Sequence, residues 1–136
     1  MLVLRNPALT SSIANPDIRR LVELRFAQVC AGEAYDYDQH GYMILVESGD
    51  SAESLEVECG CPILHDTSDG TRFGDLDFAP SFEVVEEHPG CYELVFILND
   101  NGFGIGIFIP KAEGVDPELL SMCAAFATPA PDLTPP

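Results

Sequence analysis

Residues 58–78, E‑C‑G‑C‑P‑I‑L‑H‑D‑T‑S‑D‑G‑T‑R‑F‑G‑D‑L‑D‑F, hold two cysteines, one histidine and four aspartates. Side chains of these kinds bind metals, attack electrophiles or move protons, so their spacing decides what chemistry is open to them. Cys59 and Cys61, taken with His88 and Cys91 of H‑P‑G‑C, would supply two soft ligand pairs for a tetrahedral zinc site. The C‑x‑C spacing is tighter than the usual structural pattern, and unpaired cysteines commonly serve as small core residues. Asp66, Asp69, Asp75 and Asp77 could share a cation. Their spacing lacks the alternating acids, sixth-position glycine and twelfth-position glutamate of a calcium loop. Cys61 and His65 have the makings of a thiol nucleophile and its base, but the surrounding acids oppose thiolate formation. G‑F‑G‑I‑G at 102–106 lies inside a strand pattern with no helix start after it, so it is not a phosphate cradle. No catalytic residue is assigned, no cofactor is expected, and the chain reads as a binding protein more readily than as an enzyme.

Charge points the same way. The 136 residues carry a net charge of −17, from six basic and twenty-three acidic side chains. Residues 1–25 hold Arg5, Arg19, Arg20 and Arg25 against Asp17 and Glu23, a net of +2, which leaves −19 for the rest. Direct binding to a nucleic-acid backbone needs Lys and Arg to displace counterions and is disfavoured here. A basic protein partner is favoured, through long-range attraction and steering. A solubility role alone is the plain alternative.

The elements that must position these residues are readable from pattern. Asn15 caps a helix opened by Pro16 and Asp17, and Gly32 ends it. Ile18, Leu21, Val22, Phe26 and Val29 form its apolar stripe, and Arg25 projects into that stripe. Arg25 reads either as a stem over apolar surface with its head paired to an acid, or as an anion-binding arginine. Residues 1–4 suggest an edge strand and 42–47 a second strand. Asp50 with Glu53 suggests a capping box for a short helix stopped by Gly60. Residues 65–80 read as a long loop with breakers at Gly70, Gly74 and Pro80. Strands follow at 81–87, 91–98 and 103–109, with Asn101‑Gly102 as a hairpin turn that sets Leu98 opposite Ile105 and Leu94 opposite Ile109. Tyr92, Leu94, Phe96, Leu98, Ile105, Ile107 and Ile109 line one face. Val95, Ile97 and Phe108 with Gly104 and Gly106 line the other, so the hairpin should be covered on both sides. The two glycines leave a trough, and Gly104, Gly106, Phe108 and Arg25 form a candidate ligand groove. Asp116, Pro117 and Glu118 open a last helix with Leu119, Leu120, Met122, Cys123 and Phe126 inward.

The span F‑G‑D‑L‑D‑F‑A‑P‑S‑F‑E‑V‑V‑E‑E‑H‑P‑G‑C‑Y‑E‑L‑V‑F‑I‑L‑N‑D‑N‑G‑F‑G‑I‑G‑I‑F‑I‑P‑K resembles uncharacterised small acidic proteins of proteobacteria, some carried on mobile elements. The resemblance implies a bacterial accessory-gene origin and brings no activity and no functional residue.

The expectation is an α+β fold: an antiparallel sheet centred on a 91–109 hairpin and packed by helices at about 16–31 and 116–127. Residues 1–127 should form one domain and 128–136 a proline-rich mobile tail. The start M‑L‑V‑L‑R‑N‑P has no basic segment followed by an apolar core, and no apolar run approaches the roughly 18 residues of a membrane span. With five cysteines and no sign of secretion, a cytoplasmic location with free thiols is expected. The leading functional expectation is an acidic protein that masks a basic protein surface, as an immunity, antitoxin-like or nucleic-acid-mimic inhibitor does. Asp66, Asp69, Asp75, Asp77, Glu86 and Glu87 would make the contact, with Phe73 and Phe78 as anchors. A small-molecule module using the glycine trough and a metal-binding protein or metal-dependent enzyme are the alternatives. A homodimer is also open.

Overall fold

The computed structural model describes residues 1–60, 64–67, 70–73, 81–97 and 104–129. Strand β1 (Leu2–Leu4) leads through a 3‑10 turn (Pro7–Ser12) to helix α1 (Pro16–Cys30). A short helix α2 (Tyr37–His40), strand β2 (Tyr42–Leu45) and helix α3 (Ala52–Cys59) follow. Then come β3 (Leu64–Thr67), β4 (Gly70–Phe73), β5 (Ser81–Glu87), β6 (Cys91–Ile97), β7 (Gly104–Pro110), α4 (Pro117–Phe126) and β8 (Thr128–Pro129).

Local chemistry explains the helix starts. The Asn15 side chain accepts from the Asp17 and Ile18 amides, and Pro16 opens α1 where its missing N–H costs nothing. Asp116 does the same for α4 by accepting from Glu118. The α3 cap is Ser51, not Asp50: Ser51 and Ser54 bond each other's backbone amides reciprocally. Asp50 instead accepts from the Glu47 amide and pairs with the Met1 amino group at 2.7 Å. Helix α1 ends on Ala31 in the left-handed region, one residue before the expected Gly32.

The main sheet has the order β1‑β2‑β7‑β6‑β5‑β8. It is mixed, which corrects the antiparallel expectation: β2 pairs parallel to β7, and β8 parallel to β5. The β6–β7 hairpin is central as expected, but Leu94 faces Ile107 and Phe96 faces Ile105, two residues away from the expected register. A two-residue slip keeps every side chain on its face, so the two faces survive the correction. The expected turn at Asn101‑Gly102 lies outside the described residues. Residues 65–80 do not form one long loop, because β3 and β4 make a separate two-stranded sheet with Asp66 opposite Thr71. Thr128–Pro129, expected in the tail, pairs with Glu86 and Glu87 as an edge strand, and residues 130–136 lie outside the described ones.

Each sheet face carries its own core. On one, Ile44, Leu94, Ile105, Ile107 and Ile109 pack with Leu55 of α3 and Leu119 and Cys123 of α4. On the other, Leu4, Met43, Leu45, Cys91 and Phe108 pack with Ile18, Val22 and Phe26 of α1. Val29, expected inside, is exposed, and Cys30 takes the buried position one residue on. Two glycines are required by close approach. Gly41 has φ 78° and ψ −156°, a region only glycine occupies readily, and a Cβ there would overlap the Gly104 carbonyl. At Gly106 a Cβ would sit 2.5 Å from Met43 Sδ.

Candidate functional site

The densest gathering of ionisable groups among the described residues lies on the α1 side of the sheet. Its geometry follows from the β5–β6 hairpin. Pro89 and Gly90 form a two-residue loop, closed by a 2.9 Å bond from the His88 amide to the Cys91 carbonyl. Proline disfavours helical backbone at the residue before it, so His88 continues the extended chain. That register sets Glu86 directly opposite Glu93. Residues two apart share a face of a strand, so His88 falls beside both.

Two carboxylates directly across a strand pair repel each other unless a cation lies between them. Arg25 of α1 supplies it. Its Nε donates to Glu93 Oε2 at 2.6 Å and its Nη2 to Oε1 at 2.7 Å, a two-pronged arrangement that fixes orientation as well as charge. Glu86 Oε2 lies 3.9 Å from the same guanidinium, and Nη1 bonds Gln28. His88 Nε2 lies 2.9 Å from Glu93 Oε1 and 3.7 Å from Glu86 Oε2. A carboxylate accepts only, so Nε2 carries the hydrogen of the shorter contact.

Burial works against the Arg25 charge, and the bonds to Glu93 with the nearby Glu86 outweigh it, so its pKa lies above the ordinary value. Glu93 has no exposed side-chain surface, whereas Arg25 is 20% and Glu86 22% exposed, so the cluster opens to solvent along the Arg25–Glu86 side. One oxygen or ring nitrogen from each of Glu86, His88 and Glu93 lies within 4.8 Å of the others, a donor set suited to a divalent metal. Removing Arg25 would leave Glu93 a buried carboxylate with only the His88 bond, whereas Arg25 without Glu93 would keep solvent, Gln28 and Glu86.

The structure redistributes the residues singled out from sequence. Arg25 is held by acids and is not free to take an anion. Glu86 turns inward to Arg25 and His88, while Glu87 is exposed and pairs with Lys111 at 3.4 Å. The four-ligand zinc set does not assemble: Cys59 packs against the α3–α4 core, while Cys91 belongs to the opposite, α1 core. Burial, with Glu93 adding and Lys111 opposing, pushes the Cys91 thiol up to about 12, so it is no ready thiolate. Cys61, Asp69, Asp75, Asp77 and Phe78 lie outside the described residues, and Asp66 and Phe73 are described only as backbone in β3 and β4. The trough at Gly104, Gly106 and Phe108 is filled over Gly106 by Met43. An open cleft of about 290 Å³ lies elsewhere, between α1 and the 3‑10 turn, floored by Phe26 and Tyr35 with Glu23 and Glu33 among its walls.

Sequence reasoning missed Glu93. The signal was present: Glu93 alternates with Val95 on a face expected to be covered, and Arg25 interrupts an apolar helix stripe. Two lone opposite charges on faces that must both be buried point to each other.

No family model, curated protein or solved structure matches this chain. Among the described residues no helix is long and apolar enough to cross a membrane.

Proposed function

We propose that this chain is a non-catalytic acidic binding protein that masks a basic protein surface. The observation that carries the reading is the disposition of its charges. Arg5 pairs with Glu58 and lies over the Tyr42 ring, Arg25 pairs with Glu93, and Lys111 pairs with Glu87 and lies over the Tyr92 ring. Three of the six cations are thus neutralised within the fold, while Arg19 and Arg20 lie on α1 with no acid within ion-pair distance among the described residues. Acids such as Asp17, Glu23, Asp36, Asp38, Glu53 and Glu113 stand exposed, with no Lys or Arg within ion-pair distance among the described residues. These described acids face outward, and with the net charge of −17 they favour encounter with a basic partner and disfavour a nucleic acid.

The proposed contact set is Asp66, Asp69, Asp75, Asp77 and Glu87, with Phe73 and Phe78 as anchors. Glu86 leaves the set, being held against Arg25 and His88. The family resemblance and a cytoplasmic location fit this reading and stand with it as proposals. The experiment is affinity capture: the immobilised chain is exposed to bacterial lysate at low salt, eluted with a salt gradient, and the eluate identified. The reading expects a discrete basic protein to leave the column sharply, and its capture to be lost when Asp75 and Asp77 are changed to Lys. Failure to retain any basic protein would remove it.

A further inference from the structure

We propose that Glu86, His88 and Glu93 form a binding site for one divalent first-row transition-metal ion, with Arg25 as the residue that orients Glu93. The inference is independent of the acidic-partner reading. Three donors of the right chemistry, two carboxylate oxygens and an imidazole nitrogen, are brought together by one hairpin and lie within 4.8 Å of one another. Two of the three are buried, so their rotamers are held by packing and not by the ion alone. The third, Glu86, is 22% exposed and faces the solvent side of the cluster.

The bonding can be counted. A carboxylate offers four lone-pair sites. On Glu93, Arg25 takes one on each oxygen and His88 takes a second on Oε1. The ion would occupy the place of the His88 Nε2 hydrogen. That hydrogen moves to Nδ1 as the ring changes tautomer, Nε2 presents its lone pair, and Oε1 turns to the metal the lone pair it now gives to His88. Arg25 keeps its hold on Oε2, the outer partner that an oriented ligand needs. With a neutral imidazole, the two carboxylates and one guanidinium leave one negative charge in excess, which favours a further cation.

The donor chemistry narrows the ion. Nε2 lies 2.9 Å from Glu93 Oε1 and 3.7 Å from Glu86 Oε2. With metal–ligand bonds of about 2.1 Å these separations subtend roughly 90° and roughly 120°, so the angles alone choose no coordination number. Two carboxylates and an imidazole with no thiolate suit a six-coordinate ion completed by water over a four-coordinate thiolate-bound one.

The test is titration of the chelator-treated full-length chain with Co²⁺, followed by absorption spectroscopy and calorimetry. One equivalent should bind, with the weak visible bands of six-coordinate cobalt and no near-ultraviolet thiolate-to-cobalt band. His88→Gln should weaken binding by at least about 10-fold. Glu86→Gln changes a partly exposed residue, so the fold is retained; it should weaken binding comparably while thermal unfolding stays near that of the parent. Glu113→Gln, remote and exposed, should change nothing. Absence of binding, intense four-coordinate or thiolate bands, or affinity unchanged in both His88→Gln and Glu86→Gln would each overturn the proposal.

Discussion

The two faces of the sheet differ in kind. The α3–α4 face is built from Ile44, Leu94, Ile105, Ile107, Ile109, Leu55 and Leu119, and the cations against it, Arg5 over Tyr42 and Lys111 over Tyr92, stay at its rim with their heads toward solvent. The α1 face buries a comparable apolar cluster and then sets Arg25, Glu93 and His88 into it. Apolar contacts are sufficient to hold a helix on a sheet, as the first face demonstrates. A buried ion pair seldom adds net stability, because desolvation offsets its Coulombic attraction. The charged cluster on the second face is thus poorly explained as a stability device, and its retention in a covered strand argues for a specific role in register or binding.

The largest expected effect separates these explanations. Arg25→Ala leaves Glu93 buried with the His88 bond but no guanidinium, and should cost about 3–5 kcal/mol in urea unfolding. Replacing the pair together, Arg25→Met with Glu93→Leu, should restore the parent's stability or exceed it by about 1–4 kcal/mol. If the double variant stays as unstable as Arg25→Ala, the cluster is a stability element after all and the contrast between the faces is lost.

A smaller effect is expected at the floor of the α1 face. Gly106→Ala brings a methyl to 2.5 Å from Met43 Sδ, the flexible end of a long side chain. The cost should be about 1–3 kcal/mol. A neutral result would mean that the trough holds free space and would reopen it as a ligand groove.

The last effect is nil at neutral pH and concerns the apolar face at high pH. Burial pushes the Cys123 thiol from 9.0 up to about 12. The folded state then holds the thiol proton where the unfolded chain releases it. This contribution to stability is complete below pH 9.0 and is lost as pH rises toward about 12. Urea midpoints measured across that range should fall, and Cys123→Ala should fall less steeply from a lower start. Equal slopes would show that the thiol is not protected as described.

Elements governed by neighbours in sequence were readable in advance. Asn15‑Pro16‑Asp17 and Asp116‑Pro117‑Glu118 are self-contained helix openings, and both behave as their chemistry dictates. The two-sided apolar hairpin also held its faces, because alternation is insensitive to a slip of two. What depended on distant pairing was not readable. The parallel contact of Tyr42–Leu45 with Ile105–Phe108 joins segments some sixty residues apart and leaves no local trace in a strand that is apolar throughout. Ser51 displaced Asp50 as a cap because Asp50 found the Met1 amino group and the Glu47 amide, partners that spacing alone does not reveal. The candidate site was half readable. From spacing, Arg25 reads as part of the glycine groove, His88 as a zinc ligand beside Cys91, and Glu86 as a contact acid. Only the fold shows that Glu93 joins all three.

The central claim, that outward negative charge is what this protein uses to hold a partner, is tested most directly by the salt dependence of its affinity for the captured protein. Screening shortens from about 10 Å at 0.1 M to about 3 Å at 1 M salt. The account predicts that Kd rises steeply over that range and that Asp75→Lys with Asp77→Lys removes most of the slope. A Kd indifferent to ionic strength would contradict it.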